Sequence, residues 1–482
     1  MSAAAYSPFD CTVVGQPRAL ATLFMTEMWE RFSYYGMRAL LVLFMITPVA
    51  DGGMGYGAAE AAGIYGVYVA LVYLTPLPGG WIGDRVLGAR RTVFVGGAVI
   101  ASGHITLAIF GGRGLFAALA LIIVGTGLLK PNMTAMVGGI YDYRPEVRDA
   151  GFSIYYMGVN LGAFLAPLIC GYLGQSVSWE LGFGAAAVGM ILALVQYALG
   201  ARGLGPIGAK PGNPLSGSER RRYGVGAVIA LVVAAGFVAL DLAVLHVSAN
   251  AIELGITLVI VLVPIAWFAR TLRDEREHAD QRAKVLVLLA LFVASAAFWL
   301  VYDQAGSTVA IFAQDSTRDS VLGWHFPSSW FQSVNPLMII VLAPVMAALW
   351  TALGVRGRQP GTPYKFFGGL FLVAVSMGVM VLAAHAAIDG RVSPLWLVAV
   401  FAIQTVGELM LSPVGMAAAT RLSPPDRVSQ TLGIWFLATS VGDAIGGRIA
   451  QYYDQLGQQA FFALLGVLAL VASLAVLALA RP

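Results

Sequence analysis

Runs of about 20 apolar residues recur from Leu20 to Ala480, and each is long enough to cross a bilayer as a helix. A chain with this pattern reads as an all-α integral membrane protein of many spans. Composition agrees, since 59% of the 482 residues are hydrophobic, only 11% are charged and the mean hydropathy is +0.79, whereas soluble domains carry about 25% charged residues. The two cysteines, Cys11 and Cys170, are too few and too far apart for a disulfide framework. They imply no metal cluster either. The N-terminus lacks the basic region and short apolar core of a cleavable signal, so the first span reads as an uncleaved anchor.

Polar interruptions divide the chain into fourteen candidate spans, beginning near residues 19, 60, 92, 115, 150, 181, 223, 251, 285, 331, 366, 395, 430 and 459. On an alternating path that starts inside, 22 of the 29 Lys and Arg residues fall on the inner side. Only Arg113, Arg318 and Arg391 fall outside, while Arg31, Arg38, Lys130 and Arg448 lie within spans. The positive-inside rule then places both termini in the cytoplasm. The Gly- and Pro-rich stretch from Gly200 to Tyr223 reads as a linker, and a second basic stretch runs from Arg270 to Lys284. The expected plan is a tail (1–18), a six-helix bundle (19–200), linkers with a two-helix insert (201–283) and a second six-helix bundle (284–482). Two bundles about a central cavity are the outline of a transporter that rocks around a midplane site.

The first span concentrates the chemistry. Glu27, Arg31, Tyr34 and Arg38 fall within about 60° of one another at 100° per residue, with Glu30 and Tyr35 on the flanks. Each charge costs about 2.5 to 3.5 kcal/mol to insert, so such a face must meet a wet cavity and partners. The bland alternative is a structural Glu27–Arg31 pair within the helix. Further intramembrane charges are Lys130, Asp303, Glu408, Asp443 and Arg448. Arg38 and Asp303 each lie ~28 Å from the cytoplasmic ends of their helices at 1.5 Å per residue, which pairs them on the outer side. Lys130 and Glu408 enter from outside and reach ~22 and ~20 Å inward, which pairs them on the inner side. These two pairs are the expected gates, one above and one below the cavity. Arg448, near the outer end of its span, is expected to snorkel to the interface. His104, among small apolar residues, is expected to pack rather than relay protons.

The segment Glu27-x-x-Glu30-Arg31-Phe32-x-Tyr34-Tyr35 resembles the first-helix signature of the proton-dependent oligopeptide transporter family, within the major facilitator superfamily. Gly79-Gly80-Trp81-Ile82-Gly83-Asp84-Arg85, with Gly88, Arg90 and Arg91, is similar to the superfamily's loop 2–3 motif. Gly127-Leu128-Leu129-Lys130-Pro131-Asn132, Tyr155-Tyr156-Met157-Gly158-Val159-Asn160-Leu161-Gly162 and Phe331-Gln332-Ser333-Val334-Asn335-Pro336 resemble its fourth, fifth and eighth helices. The likeness runs in order over nearly the whole chain, and bacterial members also carry a two-helix insert. Asp303 departs from the pattern, in which Glu is usual at that place.

The resemblance implies a major facilitator fold and proton-driven import of di- and tripeptides, with no cofactor and no enzymatic activity. Arg38 and Lys130 would receive the peptide carboxylate and Glu408 its amine. Asn160 and Asn335 would read the peptide bond, and Tyr34, Tyr35, Tyr73 and Trp435 would line the walls. Glu27 and Glu30 are the expected proton acceptors, since protonating either releases Arg31 or Lys130 toward substrate. The tyrosines and Trp435 have a packing or interfacial alternative, and the asparagines have interhelical hydrogen bonding. No His-Glu-x-x-His, Gly-x-Ser-x-Gly or Gly-Lys-Ser/Thr motif occurs, so hydrolase and ATP-driven chemistry lack support. Nucleic acid is not an expected partner; the lipid bilayer of a bacterial inner membrane is. A permease for nitrate or another anion, and a non-transporting receptor, are the rival readings.

Overall fold

The computed structural model describes residues 12–13, 16–141, 148–226, 249–275, 279–321, 323–424 and 427–480. Among them the long helices are α1 (Arg18–Ile46), α2 (Ala58–Leu74), α3 (Ala89–Phe110), α4 (Leu115–Ile140), α5 (Arg148–Ser176), α6 (Trp179–Gly200), α7 (Ala249–Asp274) and α8 (Ala279–Tyr302). They continue as α9 (Val334–Val355), α10 (Thr362–Ala386), α11 (Leu395–Leu422), α12 (Val428–Ala450) and α13 (Gln458–Leu479). Each matches an expected span. The span expected to begin near residue 223 runs largely over residues 227–248, which lie outside the described residues, so the count of fourteen is not decided.

Ten helical segments of the described residues are long and apolar enough to cross a membrane. Helix α1 is not among them, because Glu27, Glu30, Arg31 and Arg38 interrupt its apolar sequence. Prolines inside α4, α5, α7, α9 and α11 are tolerated because neighbouring helices satisfy the freed backbone groups. Helix α8 stops at Tyr302. Asp303–Gly306 is a tight 3-10 turn, followed by a short helix at Thr308–Asp315. Asp303 therefore sits at a break, where the expectation had it inside a continuous span.

Helix α1 packs on α5 and α6, and α3 on α4 and α6; α10 packs on α11 and α13, and α8 on α12. Small residues set how closely these helices approach. A Cβ on Gly96 of α3 would lie 2.7 Å from the Gly125 carbonyl of α4. Helices α2 and α12 join the two sets the same way, since a Cβ on Gly66 would lie 2.5 Å from the Gly447 Cα. Ser440 of α12 also donates to the Ala70 carbonyl at 2.6 Å, buried. At the end remote from Arg18, called distal below, Ser333 donates to the Phe164 carbonyl at 2.8 Å and Trp330 to the Leu168 carbonyl at 3.1 Å. These contacts tie α5 to the turn before α9.

The linker after α6 is a docked strap. The backbone N–H groups of Asn213 and Leu215 donate to the carbonyls of Asp84 and Arg85 at 3.0 and 3.2 Å. Arg90 reaches the Ala201 and Gly205 carbonyls at 2.5 and 2.8 Å. Ser216 and Glu219 form a reciprocal cap at the start of the helix over residues 217–226, each side chain accepting from the other's backbone N–H. Glu219 also pairs with Arg85 at 2.7 Å. The Ser216 backbone N–H, its hydroxyl and Arg85 together hold the Glu219 carboxyl below the usual range. The loop 2–3 motif thus serves as the seat of the strap.

Candidate functional site: a charged cavity between the two sets of helices

The four charged side chains of α1, Glu27, Glu30, Arg31 and Arg38, all have partners. Arg31 grips Glu30 with two hydrogen bonds, Nε to Oε2 at 2.5 Å and Nη2 to Oε1 at 2.7 Å. It lies 3.3 Å from Glu27 Oε1. Glu30 is 0% exposed. Adjacent helical residues do not ordinarily face one another, so the angular reading made Glu27 the main partner and put Glu30 on the flank. The flexible side chains reverse that order. Glu27 instead accepts a 2.5 Å hydrogen bond from the Tyr155 hydroxyl of α5, a partner the sequence reading did not assign.

At the distal end Arg38 Nη2 lies 2.5 Å from Asp303 Oδ1, and Arg38 Nε donates to the Tyr65 hydroxyl at 2.5 Å. The two expected partners are brought together, and Tyr65 of α2 completes the group. Asp303 Oδ2 accepts no hydrogen bond among the described residues. The guanidinium also lies over the rings of Tyr35 and Tyr65, 5.8 and 5.6 Å from their centroids.

The other expected pair is not formed. Lys130 Nζ sits 4.5 Å over the Tyr73 ring and within electrostatic reach of Glu27, Glu30 and Arg31. Glu408 Oε2 accepts from the Tyr302 hydroxyl at 2.5 Å and from Asn335 Nδ2 at 3.1 Å. Neutral donors thus hold the acid in place and leave its charge uncancelled. Depth along a helix put Lys130 and Glu408 at one level, but depth alone says nothing of the width between them.

Several expected wall residues are placed differently. Asn335 spends its amide on Glu408 and on Thr405 Oγ1 at 2.9 Å, so it positions an acid. Asn160 donates to the Tyr156 carbonyl of its own helix at 2.9 Å. Trp435 is buried against Phe366 and Gly415, a packing role rather than a cavity wall. Tyr34 packs edge-on to Tyr35, and its buried hydroxyl has no hydrogen-bond partner among the described residues. His104 is fully buried, as expected of a packing residue. Arg448, near the end of α12, bonds Asn250 and lies 3.5 Å from Glu253 on α7.

The sequence profile of the POT family matches residues 90–464. A di-/tripeptide transporter of Lactococcus lactis subsp. cremoris is 40% identical over 481 residues, covering 98% of this chain and 96% of the relative. The crystal structure of a peptide transporter POT in complex with sulfate superposes with a TM-score of 0.94 at 42% identity, over 98% of this chain and 96% of that one. A variant of a peptide transporter POT solved in complex with alafosfalin superposes at 0.93, with the same identity and coverage.

Proposed function

This chain belongs to the POT family, a multi-pass membrane protein among transporters, and we propose that it imports di- and tripeptides together with protons. The observation that carries the reading is the separation of Lys130 from Glu408. A cation held over an aromatic ring and an acid held by neutral donors make no ion pair with each other, and on this reading the two face one substrate cavity. A zwitterionic peptide supplies the missing partner for each, its carboxylate toward Lys130 and its amine toward Glu408. An anion permease has no use for Glu408, which such a substrate would meet as repulsion. The relatives' substrates, di- and tripeptides, agree.

In this reading Glu27, Glu30 and Arg31 form the proton-coupling group, with Tyr34, Tyr35 and Tyr73 as the aromatic surroundings of the cations. Protonating Glu30 or Glu27 loosens the bidentate clamp on Arg31 and changes the field on Lys130, so proton and peptide binding favour one another. Arg38 and Asp303 act as the outer gate. Their contact, with Lys130 and Glu408 apart, corresponds to a cavity open toward the cytoplasm. The protein lies in a bacterial inner membrane with both termini cytoplasmic. Each proton moving inward supplies ~2.3 kcal/mol per 100 mV, enough to concentrate a small solute. Accumulation of labelled dipeptide in proteoliposomes under an imposed proton gradient tests the proposal, and binding without accumulation would make the chain a receptor.

A further inference from the structure

Asp443 of α12 is 4% exposed, and neither of its carboxylate oxygens accepts a hydrogen bond from any described residue. It lines a small cavity with Asp303, Tyr65, Gln304, Ser307 and Gly446. Asp443 and Asp303 line this cavity together, and Asp303 Oδ2 is the other orphan acceptor there. No described donor around the cavity reaches Asp443, including the Tyr65 hydroxyl, which accepts from Arg38 and leaves its own hydrogen unassigned. Arg38 gives Nη2 to Asp303 and Nε to Tyr65; Gln304 gives its amide to the Leu300 and Gly446 carbonyls, and Ser307 its hydroxyl to Gln304.

Two acids then share one guanidinium away from water. Two like charges lining one small buried cavity oppose each other's ionisation. Among the described residues, the elements around α12 offer no second cation to the pair. On α7, Glu253 faces Arg448 and Gln451. On α11, Glu408 is held by Tyr302 of α8 and by Asn335; α2 presents the neutral hydroxyls of Tyr65 and Tyr68 and, further along, Glu60.

We infer that Asp443 is a proton-binding site of the distal gate, its carboxyl donating to Asp303 Oδ2 while Asp303 Oδ1 faces Arg38. The proton satisfies the orphan oxygen of Asp303 and fixes that carboxylate toward the guanidinium. It also reduces the local charge to that of one ion pair. Loss of the proton sets the two carboxylates against each other and releases Asp303 from its fixed orientation toward Arg38. The role in coupling rests on the transport reading given above, whereas occupancy by the proton does not.

Infrared difference spectroscopy on the full chain in lipid tests occupancy. Near neutral pH, wild type minus Asp443→Asn should contain a protonated-carboxyl C=O band that shifts in D2O. Asp443→Ser should lose the same band, so poor folding of one variant leaves the other to decide. A difference spectrum without the band overturns the site. Peptide counterflow against pH tests the gate: wild type should slow as alkaline pH strips the proton, and Asp443→Asn, whose amide supplies the hydrogen permanently, should slow less and keep only the pH dependence of Glu27 and Glu30. Parallel profiles overturn the link to the gate. Failure of wild-type vesicles to accumulate dipeptide would instead contradict the transport reading, with the band still deciding the proton site.

Discussion

The Tyr302 hydroxyl donates to Glu408 Oε2 at 2.5 Å, and this neutral hydrogen bond occupies the acid where a salt bridge to Lys130 was expected. The acid's position is thus set by Tyr302 of α8 and Asn335 of α9 rather than by the opposite set of helices. The cavity can therefore stay wide without leaving the acid unpartnered.

The first prediction concerns the amine. Glu408→Gln should weaken binding of a free dipeptide by about 1.5 to 3 kcal/mol, the range for a hydrogen bond to a charged group. It should change binding of the N-acetylated peptide little. Calorimetric titration of both ligands decides it, and equal losses would reduce Glu408 to a structural role.

Lys130→Ala should abolish proton-driven uptake, because the group both acts on Glu27 and Glu30 and receives the carboxylate. Counterflow should survive in part. Uptake at the wild-type rate in reconstituted vesicles would contradict the assignment.

Arg38→Ala leaves Asp303 buried without its cation, a change that costs roughly 3–5 kcal/mol when a buried pair is broken from one side. The double variant Arg38→Ala, Asp303→Ala should recover much of that loss. Thermal unfolding of the four proteins in one detergent measures the cycle, and additive losses would deny the pairing.

The strap after α6 should be acid-labile. The Glu219 carboxyl is held below its usual value of 4.5, first by the Ser216 backbone N–H. Its contribution is therefore full above that value and lost as pH falls through the lower value in the folded chain. Pepsin should cut between residues 205 and 226 increasingly as pH drops through that window, and Glu219→Gln should be cut at all pH values tested.

The helices were legible because their apolar runs have bilayer length and their ends carry polar or Gly-Pro signals. The Arg38–Asp303 contact was legible because two charges of opposite sign had equal depth and few other partners. The Tyr302–Glu408, Tyr155–Glu27 and Tyr65–Arg38 contacts were not. A tyrosine in an apolar helix looks the same whether it packs or donates, and only its rotation about the helix axis tells. Asn335 was picked as polar and buried, yet its direction toward Thr405 and Glu408 depends on how α9 and α11 cross. The linker's docking was hidden because its backbone N–H groups carry the contact, and those are common to every sequence.

The measurement closest to the central claim is uptake of a labelled dipeptide into proteoliposomes containing the full chain, with the proton gradient imposed and then collapsed by an ionophore. The account predicts accumulation above the external concentration that requires the gradient and is competed by unlabelled di- and tripeptides but not by nitrate. Accumulation that ignores the gradient, or competition by nitrate in place of peptides, would contradict it.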